Sequence, residues 1–275
     1  MDPIGMLRSY TGHEHIFLAD RGNSAILAAL ETANRRYPGR MTALYPDQGG
    51  WLSYRKSAKK VNSFEPEKVK TDAGIIDLEN LKKKAGDAYC FIYQNPAGYF
   101  ADQPIKEIYR ICRGVCTAIL DVTGCIGDKE LCDGRFADMM VGSFGRWKPV
   151  NLGYGGFISF RDKETAQQAG PFLKSLRFEK EHEAELLKKL QELPERLEFL
   201  YNTTQKVKQE LSQFDIVQPG KKGINVVVRW RDGEEKKRII NYCDVKGYEY
   251  TECPRYIRLN DDAISIEIKR LTRDA

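Results

Sequence analysis

The chain has 275 residues, 44 basic against 39 acidic side chains (net charge +5) and 41% hydrophobic residues. That balance suits a soluble globular protein with a real core and argues against a polycation built for nucleic acid. No apolar run approaches the ~18 residues of a membrane span, and the opening MDPIGMLRSY lacks the apolar centre of a signal peptide. The expectation is a cytoplasmic protein with neither membrane nor nucleic acid among its partners. Seven scattered cysteines do not form a secreted disulfide framework, and Cys112-x-x-x-Cys116 lacks a second pair or a nearby histidine, so no metal site is expected.

His13-Glu14-His15 reads as a polar strand entry, and Ile16-Phe17-Leu18-Ala19 as the first strand. After Asp20-Arg21-Gly22-Asn23-Ser24, residues Ala25 to Arg36 carry the apolar pattern of a helix, capped by Asn23 or Ser24. A strand, a Gly22-Asn23-Ser24 turn and a helix start form an anion cradle, because free amide N–H groups and the positive end of the helix dipole point outward. Met41 to Tyr45 is the next strand. The turn cluster Pro46-Asp47-Gln48-Gly49-Gly50 brings in Trp51 and then Tyr54.

A short strand at Val69 to Asp72 precedes a helix capped by Asp77. Ala88 to Tyr93 reads as a buried parallel strand ending in Gln94-Asn95-Pro96-Ala97-Gly98-Tyr99. A helix from Gln103 to Arg113 leads to the strand Thr117 to Asp121, which places a carboxylate at a strand's carboxyl end, where open α/β sheets bind ligands. Lys148 follows 27 residues later, between the small-residue turn Gly142, Ser143, Gly145 and the glycine-rich return Gly153, Gly155, Gly156. A lysine in such a turn suits a Schiff base with a carbonyl cofactor, with Arg146 as the neighbouring cation. Pyridoxal phosphate needs this pair, a lysine for its aldehyde and an acid to keep its pyridine nitrogen protonated.

Strands alternating with helices as far as Phe160 predict a mostly parallel sheet covered on both faces. Lys180 to Gln213 then reads as a charged amphipathic helical tract interrupted at Pro194. Strands at Ile224 to Trp230, Tyr256 to Leu259 and Ala263 to Ile268, with a helix over Glu234 to Val245, predict a small α+β unit. The expected division is a large α/β domain over 1–178 and a small C-terminal domain over 179–275.

The run Ser143-Phe144-x-x-x-Lys148 followed by Gly153-x-Gly155-Gly156 resembles the lysine loop of the DegT-type aminotransferases, within the fold-type I (aspartate aminotransferase-like) superfamily of pyridoxal-phosphate enzymes. Asp121-Val-Thr-Gly-Cys-Ile-Gly127 is similar to the family's Asp-x-x-x-x-x-Gly element. The resemblance implies a three-layer α/β fold, pyridoxal 5'-phosphate as cofactor, and an aminotransferase acting on a small amino-group-bearing substrate. It implies that Lys148 and Asp121 are catalytic, that Gly22, Asn23 and Ser24 hold the phosphate, and that Ser143 lies at the cofactor. It further implies that Trp51 stacks on the ring, Asn95 meets the phenolic oxygen, Arg258 grips a substrate carboxylate, and two subunits share a site in a homodimer. A lyase or cysteine desulfurase on the same cofactor, with Cys125 or Cys132 as sulfur acceptor, remains an alternative, as does a non-catalytic scaffold that keeps the fold.

Overall fold

The computed structural model describes residues 1–272. Its elements in chain order are α1 (Pro3–Thr11), β1 (His15–Ala19), α2 (Gly22–Arg36), β2 (Thr42–Pro46), α3 (Ser53–Val61), β3 (Glu67–Val69), β4 (Thr71–Asp72), β5 (Ile75–Ile76), α4 (Leu78–Ala85), β6 (Ala88–Gln94), α5 (Ile105–Cys112) and β7 (Thr117–Asp121). There follow β8 (Met139–Ser143), β9 (Gly156–Phe160), α6 (Lys163–Leu173), α7 (Glu183–Glu210), β10 (Asp215–Ile216), β11 (Val226–Arg229), α8 (Gly233–Lys246), β12 (Tyr250–Cys253) and β13 (Ala263–Ile266).

Local chemistry sets several of these boundaries. Aspartates cap α1, α4, α6 and α8, each accepting a first-turn backbone N–H: Asp2 from Gly5, Asp77 from Asn80, Asp162 from Thr165 and Asp232 from Glu235. Gly12 and Gly247 end α1 and α8 in the left-handed conformation that glycine adopts without strain.

Seven strands form the large sheet in the order β1-β9-β8-β7-β6-β2-β3. The pairs β8/β7, β7/β6, β6/β2 and β2/β3 are parallel, while β9 is antiparallel to both its neighbours and so runs against the other six. Alternating side chains fill two layers, as a strand buried on both faces requires. Ala118, Leu120 and Met140 join Leu7, Leu81, Ile105, Ile108 and Leu186 on one side. Ile119, Met139, Val141 and Ile158 join Ala25, Ala29, Leu30, Ala58 and Ala169 on the other. The result is the three-layer, mostly parallel α/β architecture that the pattern predicts.

A second, antiparallel sheet, β10-β11-β13-β12, forms the small α+β part. Its strands Val226, Val228, Ile264 and Ile266 pack with Leu200, Val207, Ile239 and Cys243 of α7 and α8. Two expectations are corrected here. Helix α7 passes unbroken through Pro194, because Leu186, Leu190, Leu193 and Leu197 are buried on both sides of it. That burial offsets the roughly 3 kcal/mol that an interior proline costs. Residues Tyr256 to Leu259 are not a strand but a turn, closed by Arg258 N–H to Arg255 O and Arg255 N–H to Leu259 O. The outer strand of the small sheet is instead β12.

The carboxyl ends of β1, β2, β6, β7 and β8 open on one edge of the large sheet, and the start of α2 lies against it. That approach depends on two glycines. A Cβ on Gly22 would stand 2.7 Å from Ser143 Cβ, and one on Gly156 would stand 2.5 Å from Gly142 O and 2.8 Å from Gly22 N. The second clash is with backbone, which has nowhere to move. Gly156→Ala is therefore expected to lower stability by about 1–3 kcal/mol, read as a reduced urea midpoint at unchanged m-value.

Candidate active site

The strand-end loops enclose a cavity lined by Arg21, Gly22, Asn23, Ile26, Trp51, Tyr99, Asp121, Thr123, Val141, Gly142, Ser143 and Lys148. Of the residues singled out from sequence, Gly22, Asn23, Trp51, Asp121, Ser143 and Lys148 meet here.

Asp121 ends β7 with 4% of its surface exposed. The Tyr54 hydroxyl donates to its Oδ2 at 2.7 Å, and the Thr123 backbone N–H donates to its Oδ1 at 3.0 Å. Burial pushes its carboxyl above the usual carboxylate range, opposed by the hydrogen bonds from Thr123 and Tyr54 and by the Lys148 ammonium. Tyr54 is fully buried, and its phenol is pushed well above the ordinary value by burial and by the carboxylate it serves. Each carboxylate oxygen has lone-pair capacity beyond one donor, so Asp121 retains room for a cationic N–H at the cavity wall.

Helix α2 begins at Gly22 with the extended residue Arg21 (φ −160°) at its cap and no side chain bonded to its first amides. This departs from the expected cap: Asn23 Oδ1 accepts instead from Trp51 Nε1 at 2.8 Å and from Ser53 Oγ at 3.0 Å. Ser24 donates its backbone N–H to Arg21 O and is not part of the cavity wall. An uncapped helix N-terminus facing a cavity offers backbone donors and the positive end of a dipole to an anion.

Lys148 lies in the β8–β9 connection, which is closed on itself by Phe144 N–H to Gly155 O and Gly153 N–H to Phe144 O. The tip holds Trp147 at φ 59° and Asn151 at φ 50°, joined by Trp147 N–H to Asn151 Oδ1 at 2.8 Å. Half-buried, the Lys148 ammonium donates to the Tyr99 hydroxyl at 2.7 Å and stands 5.1 Å from the Trp51 ring centroid. Ser143 is fixed by its N–H to Thr123 Oγ1 and accepts Gly145 N–H on its own Oγ. Arg146, expected beside the lysine, is exposed.

Two assignments fail on geometry. Asn95 is fully buried and off the cavity wall: its Nδ2 donates to Leu131 O at 2.9 Å and its Oδ1 accepts from Gln103 N–H at 2.9 Å. Both ends of the amide are used to pin the strand-end turn. Arg258, 3% exposed, donates from Nε and Nη2 to the two oxygens of buried Glu267, each at 2.8 Å. Its fork is already engaged by a carboxylate within the chain, so it is not the substrate's anchor. Cys125 and Cys132 are buried, and burial pushes the Cys132 thiol up to about 12 and Cys125 well above the ordinary value. Neither is the exposed, low-pKa thiol that a persulfide carrier needs.

Sequence reasoning passed over Tyr99, Thr123 and Tyr54. Tyr99 follows Gly98 in a turn at a strand's carboxyl end, and that location was the available signal; a tyrosine bonded to an aspartate 67 residues away had none.

Residues 194–275 match the family described as MJ1341 family C-terminal domain. No curated protein matches the chain. Among solved structures it is similar to PseC of Helicobacter pylori, an aminotransferase in pseudoaminic acid biosynthesis, with 14% identity and a TM-score of 0.80 over 99% of this chain and 86% of that one. The aminotransferase TlmJ from Streptoalloteichus hindustanus gives 15% identity and 0.79 over 99% and 87%. Spr1654 from Streptococcus pneumoniae, assigned as a sugar aminotransferase, gives in its PLP form 12% and 0.77 over 99% and 86%. The chain therefore has the fold of the fold-type I pyridoxal-phosphate transferases, in the form that DegT-type aminotransferases take.

Losing the Arg258 fork would strip buried Glu267 of its two-pronged partner and leave Lys269, Ser265 and the more distant Arg270, so Arg258→Ala is expected to cost about 3–5 kcal/mol of stability rather than to raise the KM for one substrate. The Lys269 ammonium is pushed down to about 7 by burial, against the pull of Glu267. An unfolded lysine keeps its proton to about 10.4, so the unfolded chain binds more protons between these values and stability rises with pH across that window. Urea midpoints at pH 7 and pH 10 are expected to show that rise, and Lys269→Met is expected to flatten it.

Proposed function

We propose that this protein is a pyridoxal-phosphate-dependent aminotransferase acting on a small amino-group-bearing substrate. One observation carries the reading: a half-buried lysine, a buried strand-end aspartate and an uncapped helix N-terminus share one cavity. The donor set fits pyridoxal phosphate group by group, with the amides of Gly22 and Asn23 for its phosphate, Asp121 for its pyridine nitrogen, the Trp51 indole for its ring and Lys148 for its aldehyde. When bound, the cofactor supplies an aldehyde for covalent capture of an amine and a pyridine ring that accepts electron density.

The chain's own residues do the rest. Asp121 favours the protonated ring nitrogen with a negative charge kept from solvent, and Tyr54 and Thr123 hold its carboxylate in place. Trp51 is tethered through Asn23, so its indole is oriented before any ligand arrives. Lys148, the residue that would hold the aldehyde, would also take up and return a proton at its own Nζ as general acid and base. Burial of Cys125 and Cys132 weighs against the desulfurase reading. The resemblance to DegT-type enzymes also supports a homodimer. Leu52 and Trp147, next in sequence to Trp51 and Lys148, are large apolar side chains left exposed, which suits cover by a second copy.

Mixing the purified protein with pyridoxal phosphate is expected to give a visible absorbance band and, after borohydride reduction, a mass increment on the peptide carrying Lys148. Lys148→Ala should lose both, and a wild-type protein that shows neither would refute the reading. Asp121→Asn should keep the increment while transamination falls about a hundredfold to a thousandfold, or ~3–4 kcal/mol. Unchanged turnover in that variant would leave Asp121 as an ordinary strand-end acid.

A further inference from the structure

We propose that Tyr99 positions Lys148, and that the buried cluster Glu267, Arg258 and Lys269 in the C-terminal part acts on the site lysine by holding the Tyr99 ring. The proposal rests on the reading of Lys148 as the attachment lysine.

Tyr99 belongs to the large sheet by chain order but is held by the small one. It is 2% exposed, with a φ of 71° that non-glycine residues seldom adopt. Its carbonyl accepts two backbone N–H groups from the segment entering β11, Ile224 at 2.7 Å and Asn225 at 3.0 Å. A residue kept in an unfavourable backbone region by two bonds from another sheet is over-determined, as functional positions often are.

Three cations surround its ring: Lys148 Nζ at 4.8 Å, Arg258 Cζ at 5.0 Å and Lys269 Nζ at 5.2 Å from the centroid. Two of them are anchored elsewhere. Glu267, 2% exposed, accepts from both nitrogens of the Arg258 fork, from Ser265 Oγ at 3.1 Å and from the Lys269 ammonium, while Arg270 Nε stands 3.8 Å away. The ring is thus fixed by groups that do not reach the cavity.

The third cation, Lys148, is the one that lines the cavity. Among the described residues its ammonium makes no ion pair, and the Tyr99 hydroxyl is the hydrogen-bond acceptor that fixes its end. That hydroxyl also lines the cavity. Misplacing a reacting amine by about 1 Å can cost about a hundredfold in rate, which is the scale on which such an anchor acts.

The test uses the full chain in two states. With pyridoxal phosphate, the rate of attachment at Lys148 is followed across pH for the wild type, Tyr99→Phe and Lys269→Met. Tyr99→Phe keeps the ring and its cations and removes only the hydroxyl; it is expected to slow attachment about tenfold or more and to displace the pH profile. Lys269→Met leaves the hydroxyl in place and is expected to displace the profile with a smaller change in rate, since Lys269 faces Glu267, Arg258, Tyr99 and, across the ring, Lys148.

Without cofactor, Lys148 acylation by a neutral activated ester is read by mass spectrometry against exposed Lys188, whose side chain is 72% accessible. Tyr99→Phe is expected to change that ratio severalfold. Superimposable profiles and an unchanged ratio in both variants would overturn the proposal, even where the wild type takes up pyridoxal phosphate normally. Should the wild type take up none, the functional reading fails, and the acylation ratio still decides whether Tyr99 governs Lys148.

Discussion

A carboxylate kept out of water at the end of β7 constrains everything around the cavity. Asp121 is nearly inaccessible, and an unpaired buried charge would cost several kcal/mol or be neutralised by a proton. Tyr54 and Thr123 therefore serve it from two directions, and Tyr54 reaches it only because α3 leans on the sheet beside β2. The same helix segment brings Trp51 and Ser53 onto Asn23. Supporting one acid thus determines where the indole and the start of α2 must lie. The two glycines that admit α2 to β8 and β9 complete the arrangement, since any side chain there would push the helix's positive end away from the acid's cavity.

The small sheet solves the same problem with a second anion. Glu267 is pulled well below the usual range, because Arg258 and Lys269 outweigh the burial that opposes its charge. Such clusters are costly compared with apolar packing, so their use is better sought in placement than in stability. Here Arg258 and Lys269 face the ring of Tyr99, whose carbonyl accepts the backbone N–H groups of Ile224 and Asn225.

The fold was legible where periodicity was strong: Ala88 to Tyr93, Thr117 to Asp121 and the helix after Gly22 left little choice of structure. Lys148, Asp121, Gly22, Asn23, Trp51 and Ser143, singled out by glycine clusters, strand ends and the resemblance together, line one cavity. Arg258 misled because a charged residue among apolar ones has the same pattern whether it faces solvent or a buried carboxylate nine positions on. Asn95 misled because an Asn-Pro turn advertises its amide without saying what the amide will bond. Pro194 broke the helix on paper, since propensity is local whereas the leucine contacts that carry α7 through it are tertiary.

Helix α7 also matters mechanically. At 28 residues it is roughly 42 Å long, with Leu186 to Leu197 set in the core of the large sheet and Leu200 to Val207 in that of the small one. A single rod seated in two cores behaves as a strut: turning one sheet against the other would tear apolar contacts at one of its ends. The strand-end loops that carry the cavity residues are thereby set on a frame whose two sheets resist turning against each other.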